Sequence, residues 1–367
     1  MRKIIVLFLI VVTFSAGAQN PASVPKNKNL SFPEKNFETL WQTFEDHYAF
    51  FTLRHIDWKK TYQIYRPQIT STTSDDTLFS VFTKMLAPFE DNHINVIIPS
   101  VRQFKSVKPS QFQKQFPNDS LINSFWNMVN HTLLKNDFAP LKTIGPTFNN
   151  KKLFAYSVSK NFGYLRFNRC FVSQDADNIP DAAEAGKFLD TIFSNFRNVK
   201  NIIVDVRDNI GGNDEFAFEV AGRFTAKKVV GLYKKTRNGG YEDFDKPETW
   251  YITPKGKDKH SYSIIVLTND KTVSAGDVFA MIMKSLPNVT IIGANTRGIY
   301  SDMYGFELPN KWLVSLSNQR YYNSKMVCYE GTGTPVDITI KNTKEDLIKD
   351  SDPVLETALK QNAKLKD

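Results

Sequence analysis

Apolar residues recur at Phe37, Leu40, Trp41, Phe44 and Tyr48, the spacing of one helical face. Ile56-Asp57-Trp58 opens a second helical turn. Residues 74–85 read as another helix, with Asp75 and Asp76 suited to the positive end of its dipole. Residues 109–135 carry a helical pattern too. The expectation is an N-terminal helical bundle over residues 35–100, followed by a helical linker or lid over 101–150. From about residue 150 the texture changes. Residues 153–158 and 162–167 are candidate strands joined by a short turn, and 182–196 form an amphipathic helix. Ile202-Ile203-Val204-Asp205-Val206 is a near-continuous apolar run of the buried-strand kind. A helix at 214–224, a strand at 264–267 and a helix at 275–286 come after it. Short strands at 289–292, 306–308 and 313–316 come next, and a helix at 353–360 closes the pattern. Alternating strands and helices predict an α/β core over residues 151–345, with 346–367 as a C-terminal helical segment.

The start of the chain has a different grammar. Arg2 and Lys3 precede an apolar run over residues 4–14, and Ala16-Gly17-Ala18 supplies small residues. That order predicts a secretory signal peptide over residues 1–18, too short to span a bilayer comfortably, with cleavage near Ala18 and a periplasmic or secreted product. No stable membrane insertion is expected. No Cys follows the cleavage site, so a lipid anchor is not expected either. Pro21, Pro25 and Pro33 mark residues 19–34 as a flexible lead-in.

Of the 367 residues, 41% are hydrophobic, 29 of them Phe, which suits a globular chain. The formal charge is +9, or about +7 without Arg2 and Lys3, and it is spread over patches such as Lys227-Lys228 and Lys234-Lys235. No aromatic-interleaved basic stripe accompanies it, so nucleic acid is not an expected partner. Cys170 and Cys328 could bridge in an oxidising compartment or remain free thiols, and the sequence leaves both open. With five scattered His they form no metal-ligand spacing, and no metal or cofactor is expected.

Three segments could carry chemistry. In Val204-Asp205-Val206-Arg207-Asp208-Asn209-Ile210-Gly211-Gly212-Asn213 a buried strand runs into a glycine-paired turn and then a helix. Glycines there leave peptide N–H groups open to an anion, although an ordinary strand-to-helix turn reads the same way. In Leu267-Thr268-Asn269-Asp270-Lys271-Thr272-Val273-Ser274-Ala275-Gly276-Asp277, Ser274 falls at a helix start, as a nucleophile or a plain N-cap would. In Asp91-Asn92-His93 an imidazole follows a helix, and imidazole is the usual acceptor of a serine proton near neutral pH. His47, His55, His131 and His260 compete with it.

The joint order of these segments resembles the tail-specific protease and tricorn-core serine peptidases over most of residues 36–345. The resemblance also includes Gly163-Tyr164-Leu165-Arg166-Phe167, Ile292-Gly293-Ala294-Asn295-Thr296-Arg297-Gly298 and Glu330-Gly331-Thr332-Gly333-Thr334-Pro335-Val336-Asp337. It implies a ClpP/crotonase-like α/β core, Ser274 as nucleophile, His93 as general base and Glu330 as a residue orienting or polarising the His side. It implies oxyanion donors from Gly211 or Gly212 and from Ala275, and peptides or unfolded protein as substrate. In the processing branch a Lys is the base; here that position is Ile299, and no PDZ module fits within residues 99–150, so the tricorn-like Ser–His branch is expected. Asn92 stands where the tricorn relay has a serine, and Asp277 stands in the first turn after the nucleophile. A non-catalytic binding relative and a hydrolase of non-peptide esters or amides are the alternatives. A Gly-x-Ser-x-Gly elbow is absent.

Overall fold

A computed structural model describes residues 20–361 except 26, 28, 174–180 and 257–261. The expected signal peptide, residues 1–18, lies outside the described residues. The helices are α1 Phe32–His47, α2 Trp58–Tyr65, α3 Asp75–Leu86, α4 Gln111–Gln115, α5 Asp119–Lys135, α6 Asp181–Asn195, α7 Asp214–Ala221, α8 Ala275–Met283, α9 Lys344–Lys349 and α10 Pro353–Gln361. The strands are β1 Asn95–Ile98, β2 Arg102–Lys105, β3 Lys142–Phe148, β4 Lys151–Val158, β5 Phe162–Phe167, β6 Asn201–Asp205 and β7 Val229–Thr236. They continue with β8 Glu248–Ile252, β9 Ser263–Thr268, β10 Val289–Gly293, β11 Met303–Glu307, β12 Leu313–Ser317, β13 Gln319–Asn323 and β14 Ile338–Thr339.

The site rests on a seven-stranded sheet in the order β14-β10-β9-β6-β5-β4-β3. It is parallel from β14 to β5 and antiparallel beyond. Side chains alternate across a strand, so both faces of an apolar run must be covered. Ile202 and Val204 of β6 and Ile264 and Val266 of β9 pack with residues of α6, α7 and α8, among them Ala217 and Phe279. Ile203, Ile265 and Leu267 face the other way, onto Phe125, Met128, Val354 and Leu355 of α5 and α10. The sheet therefore carries helices on both faces. At the end of β6, the fully buried Arg207 pairs with Asp205 at 2.6 Å and Asp352 at 2.8 Å, tying the C-terminal helix to the strand.

The N-terminal part is a sandwich of helices on a second sheet. β11-β12-β1-β2 form a four-stranded antiparallel sheet. Phe37, Leu40 and Phe44 of α1 and Phe82 of α3 pack with its Phe306, Val314 and Leu316. The strands expected near 306–308 and 313–316 thus leave the α/β core and complete the N-terminal unit, a crossing that an apolar pattern alone does not encode. A third sheet, β13-β7-β8, escaped the sequence pattern because charged residues such as Lys234 and Lys235 interrupt it.

Two expected segments are corrected. Residues 101–150 are helical only in part: α4 and α5 fall where the helical pattern at 109–135 was expected, but β2 pairs with β1, β3 forms an outer strand of the large sheet, and α5 covers that sheet's face. The lead-in expected as flexible is docked at residues 20 and 21, with the Asn20 N–H donating to Gly305 O (2.9 Å) and the Tyr304 hydroxyl to Pro21 O (2.8 Å). Pro33 falls in the first turn of α1, where its missing N–H costs no helical bond. Cys170 and Cys328 are free thiols, the first buried. Among the described residues no helix is long and apolar enough to cross a membrane.

Candidate active site

Ser274 lies between β9 and α8, with φ at +59°, a backbone region that L side chains seldom occupy. Neighbouring groups hold it there. The Ser274 N–H donates to Asp277 Oδ2 at 2.9 Å, the Val273 N–H to Asn209 O at 3.1 Å, and the Thr272 hydroxyl to Val206 O at 2.8 Å. Gly211 (φ +83°) faces it so closely that a Cβ there would lie 2.6 Å from Ser274 Cβ. Only glycine lets the two turns meet.

His93 arrives from the N-terminal unit, 181 residues away in sequence, and places Nε2 at 3.1 Å from Ser274 Oγ. Its turn follows Glu90, which has a left-handed backbone, and leads into β1. The His93 N–H donates to Asp91 Oδ1 (2.9 Å), and its carbonyl accepts from Ser315 Oγ (2.6 Å), a residue of β12. Asp91 Oδ2 in turn accepts from the Tyr48 hydroxyl at 3.0 Å. Burial pushes the imidazole pKa down to about 4, against the opposing pull of Asp91, so the ring is neutral near pH 7. Nδ1 is buried without a partner among the described residues. Asn92 is also buried, and its Oδ1 has no partner among the described residues.

Glu330 does not touch the imidazole. Its Oε1 pairs with Arg54 Nη2 at 2.6 Å and its Oε2 accepts from the Tyr300 N–H at 2.9 Å. Arg54 Nη1 reaches the carbonyls of Phe89 (2.9 Å) and Glu90 (3.3 Å), the root of the His93 turn. Glu330 therefore connects to the His side through Arg54. Burial pushes its carboxyl up, and the Arg54 guanidinium at 2.6 Å pulls it back toward the ionised form.

Of the expected oxyanion donors, the Gly211 N–H is already committed to Asn209 Oδ1 at 2.9 Å. Its contribution is the close approach. Among the described residues, the N–H groups of Gly212 and Ala275 make no such bond. Gly212 (φ +140°) is itself pressed against the Cys170 carbonyl, where a Cβ would come within 2.5 Å. Ala275 is the first residue of α8 and has no intrahelical acceptor for its N–H. Ile299 is fully buried and donates its N–H to Asp277 Oδ2 at 3.1 Å, so no ammonium stands there.

Three supporting residues were not assigned from the sequence. Asp277 is fully buried and gathers the N–H groups of Ser274, Gly298 (2.8 Å) and Ile299, with burial pushing its carboxyl up to about 7. The Ser-x-x-Asp spacing at a helix start was the available signal. Arg54, in the loop before α2, and Asp91, in the His turn, had none beyond their charge.

The profile of peptidase family S41 matches residues 161–340, and that of the tricorn protease C1 domain matches residues 33–87. The chain belongs to peptidase family S41. The S41 range holds Ser274, both glycines and Glu330, whereas His93 falls between the two matched ranges. Its position at Ser274 is thus an observation of geometry alone. Among solved structures, a candidate peptidase from Parabacteroides merdae ATCC 43184 is 27% identical with a TM-score of 0.73, covering 90% of this chain and 96% of that one. Mature CPAF complexed with lactacystin is 13% identical (TM-score 0.61), covering 91% of this chain and 98% of that one. Tricorn protease is 14% identical (TM-score 0.51), covering 90% of this chain and 36% of its own. The latter two show the fold: a ClpP/crotonase-like core with an N-terminal helical region, as the resemblance implied.

Proposed function

We propose that this S41 family member is an exported serine endopeptidase acting on peptides or unfolded protein, with Ser274 as nucleophile and His93 as general base. The observation that supports this most is the 3.1 Å approach of a neutral, buried imidazole to a hydroxyl beside two uncommitted N–H groups. Nε2 takes the Oγ proton as Oγ adds to the scissile carbonyl. The negative charge forming on the carbonyl oxygen is met by the N–H groups of Gly212 and Ala275; one such donor is typically worth about 10²–10³ in rate. The imidazolium, favoured by the nearby Asp91 carboxylate, returns the proton to the leaving amine. An ester remains on Ser274, and water hydrolyses it with His93 again as base. Glu330 and Arg54 hold the root of the His93 turn. Export is inferred from the basic, apolar and small-residue order of residues 1–18.

Hydrolysis of a peptide library and of unfolded casein tests this reading. Ser274→Ala is expected to remove turnover by about 10⁶-fold, as loss of a serine nucleophile does, with the circular dichroism spectrum unchanged. Peptide hydrolysis persisting in Ser274→Ala would reject the nucleophile, and ester-only turnover by the wild type would reject the substrate class.

A further inference from the structure

A cavity of about 580 Å³ opens where β9, β10 and β14 end, lined by Thr268, Ala294 and Thr339 at those ends. These three strands are parallel neighbours. The space outside the carboxyl ends of parallel strands is where such sheets commonly receive ligands, and the volume suits a small organic molecule. None of Ser274, His93 or Glu330 lines it.

Its wall holds a guanidinium that the Asp270 and Asp277 carboxylates balance only from beyond contact distance. Arg297 is 94% buried (6% exposed), donates from Nη1 to Lys108 O at 2.6 Å, and has Nε without a partner. It forms no ion pair among the described residues. The carboxylate on the same wall, Asp270, is already occupied by the Ser110 hydroxyl (2.8 Å) and the N–H groups of Gln111 and Phe112. Asn269, also on the wall and buried, has an Nδ2 with no acceptor. Two under-satisfied donors, one of them a desolvated guanidinium, are costly to keep without an acceptor. Lys341 adds positive charge at the exposed rim, and Phe112 and Ile340 supply apolar surface.

We propose that this cavity binds a small ligand bearing a carboxylate, with Arg297 as the anchoring group. A planar guanidinium fork matches a carboxylate in geometry, and one free fork suits one negative charge. The site also touches the nucleophile turn, because the Arg297 N–H donates to Thr272 O at 2.8 Å, two residues before Ser274. Occupancy and the conformation of that turn are therefore linked. Binding itself does not depend on Ser274 being a nucleophile.

Calorimetric titration tests the proposal. Succinate and N-acetyl-trialanine serve as probes for a free organic acid and a peptide chain end, with the C-terminal amide of the same peptide as control. Ser274→Ala protein keeps the peptides intact. At least one carboxylate is expected to bind, and the amide to bind about ten-fold or more weaker than the acid, the weight of one charge-assisted hydrogen bond. Whichever carboxylate binds names the source. Arg297→Gln is expected to abolish binding. Lys341→Gln, at an exposed position that leaves the core intact, is expected to weaken it by about three-fold through lost rim charge. Equal affinity of acid and amide, unchanged affinity in both variants, or no binding of either carboxylate would overturn the proposal.

Discussion

Ser274 sits in a turn fixed on several sides by its own surroundings, whereas His93 stands on a turn anchored through its backbone, with the buried ring itself held at fewer points. On the serine side, Asp277 takes the Ser274 N–H, Asn209 takes the Val273 N–H, and Gly211 presses against the Cβ. All of these belong to the parallel sheet and its connections. On the histidine side, the backbone is held by Asp91 and Ser315, and the root of the turn by Arg54 and Glu330, but among the described residues the ring has a hydrogen-bond neighbour only at Nε2. The geometry at Ser274 is thus a property of one packed core. The geometry at His93 depends on how two units, joined partly by β11 and β12, stay together. Strain at φ +59° can persist on the serine side because so many contacts over-determine it.

Breaking the serine side should have the largest effect. Gly211→Ala puts a Cβ within 2.6 Å of Ser274 Cβ and forces φ +83° on an L residue. Backbone strain of this kind costs about 1–3 kcal/mol. The turn would have to shift away from its N–H donors, so kcat/KM should fall by about 10²–10³, the weight of one donor. Steady-state kinetics with a melting curve check both; activity within two-fold of wild type would show that the close approach is dispensable.

Loosening the histidine side should cost less. Glu330→Gln keeps an acceptor for the Tyr300 N–H but removes the charge that pairs with Arg54. A drop in kcat of about ten-fold, the weight of one charge-assisted hydrogen bond, is expected with KM little changed. An unaltered kcat would take Glu330 out of the mechanism.

The smallest effect at working pH is a displaced acid limb. With the His93 pKa near 4, a neutral base persists well below the ordinary imidazole range, and kcat/KM should decline near pH 4 instead of near 6.5. The same shift has a stability consequence. The unfolded chain binds a proton at this residue from about pH 6.5 downward, while the folded chain resists until about 4. Stability contributed here is present above 6.5 and is lost as pH falls through that window. A pH–rate profile with its acid limb at 6.5 would mean that the ring is hydrated in the working enzyme.

The serine side was also the more legible one in the sequence. Ile202 to Val206 and Ile264 to Leu267 announce buried strands. The glycine pair after the first and the serine at a helix start after the second are local chain grammar. The role of Gly211 was only half readable, because the sequence offers its N–H to an oxyanion while the fold gives that N–H to Asn209. The histidine side depends on long-range packing. Nothing local to Arg54 says that it will meet Glu330, 276 residues away, and nothing in residues 313–317 says that they will pair with β1. The outer strand β3 went unread because its exposed positions blur the alternation that marks a strand, and β7 because Lys234 and Lys235 interrupt the apolar pattern although no residue of that strand is exposed.

The pairing of these two sides is tested most directly by the rate at which a fluorophosphonate labels the serine hydroxyl, compared between wild type and His93→Ala at pH 7. Labelling confined to Ser274 and slowed by at least about 10³-fold in His93→Ala is expected, since the base removes the proton as the bond forms. Equal labelling rates in the two proteins, with the fold of each intact, would contradict His93 as the base.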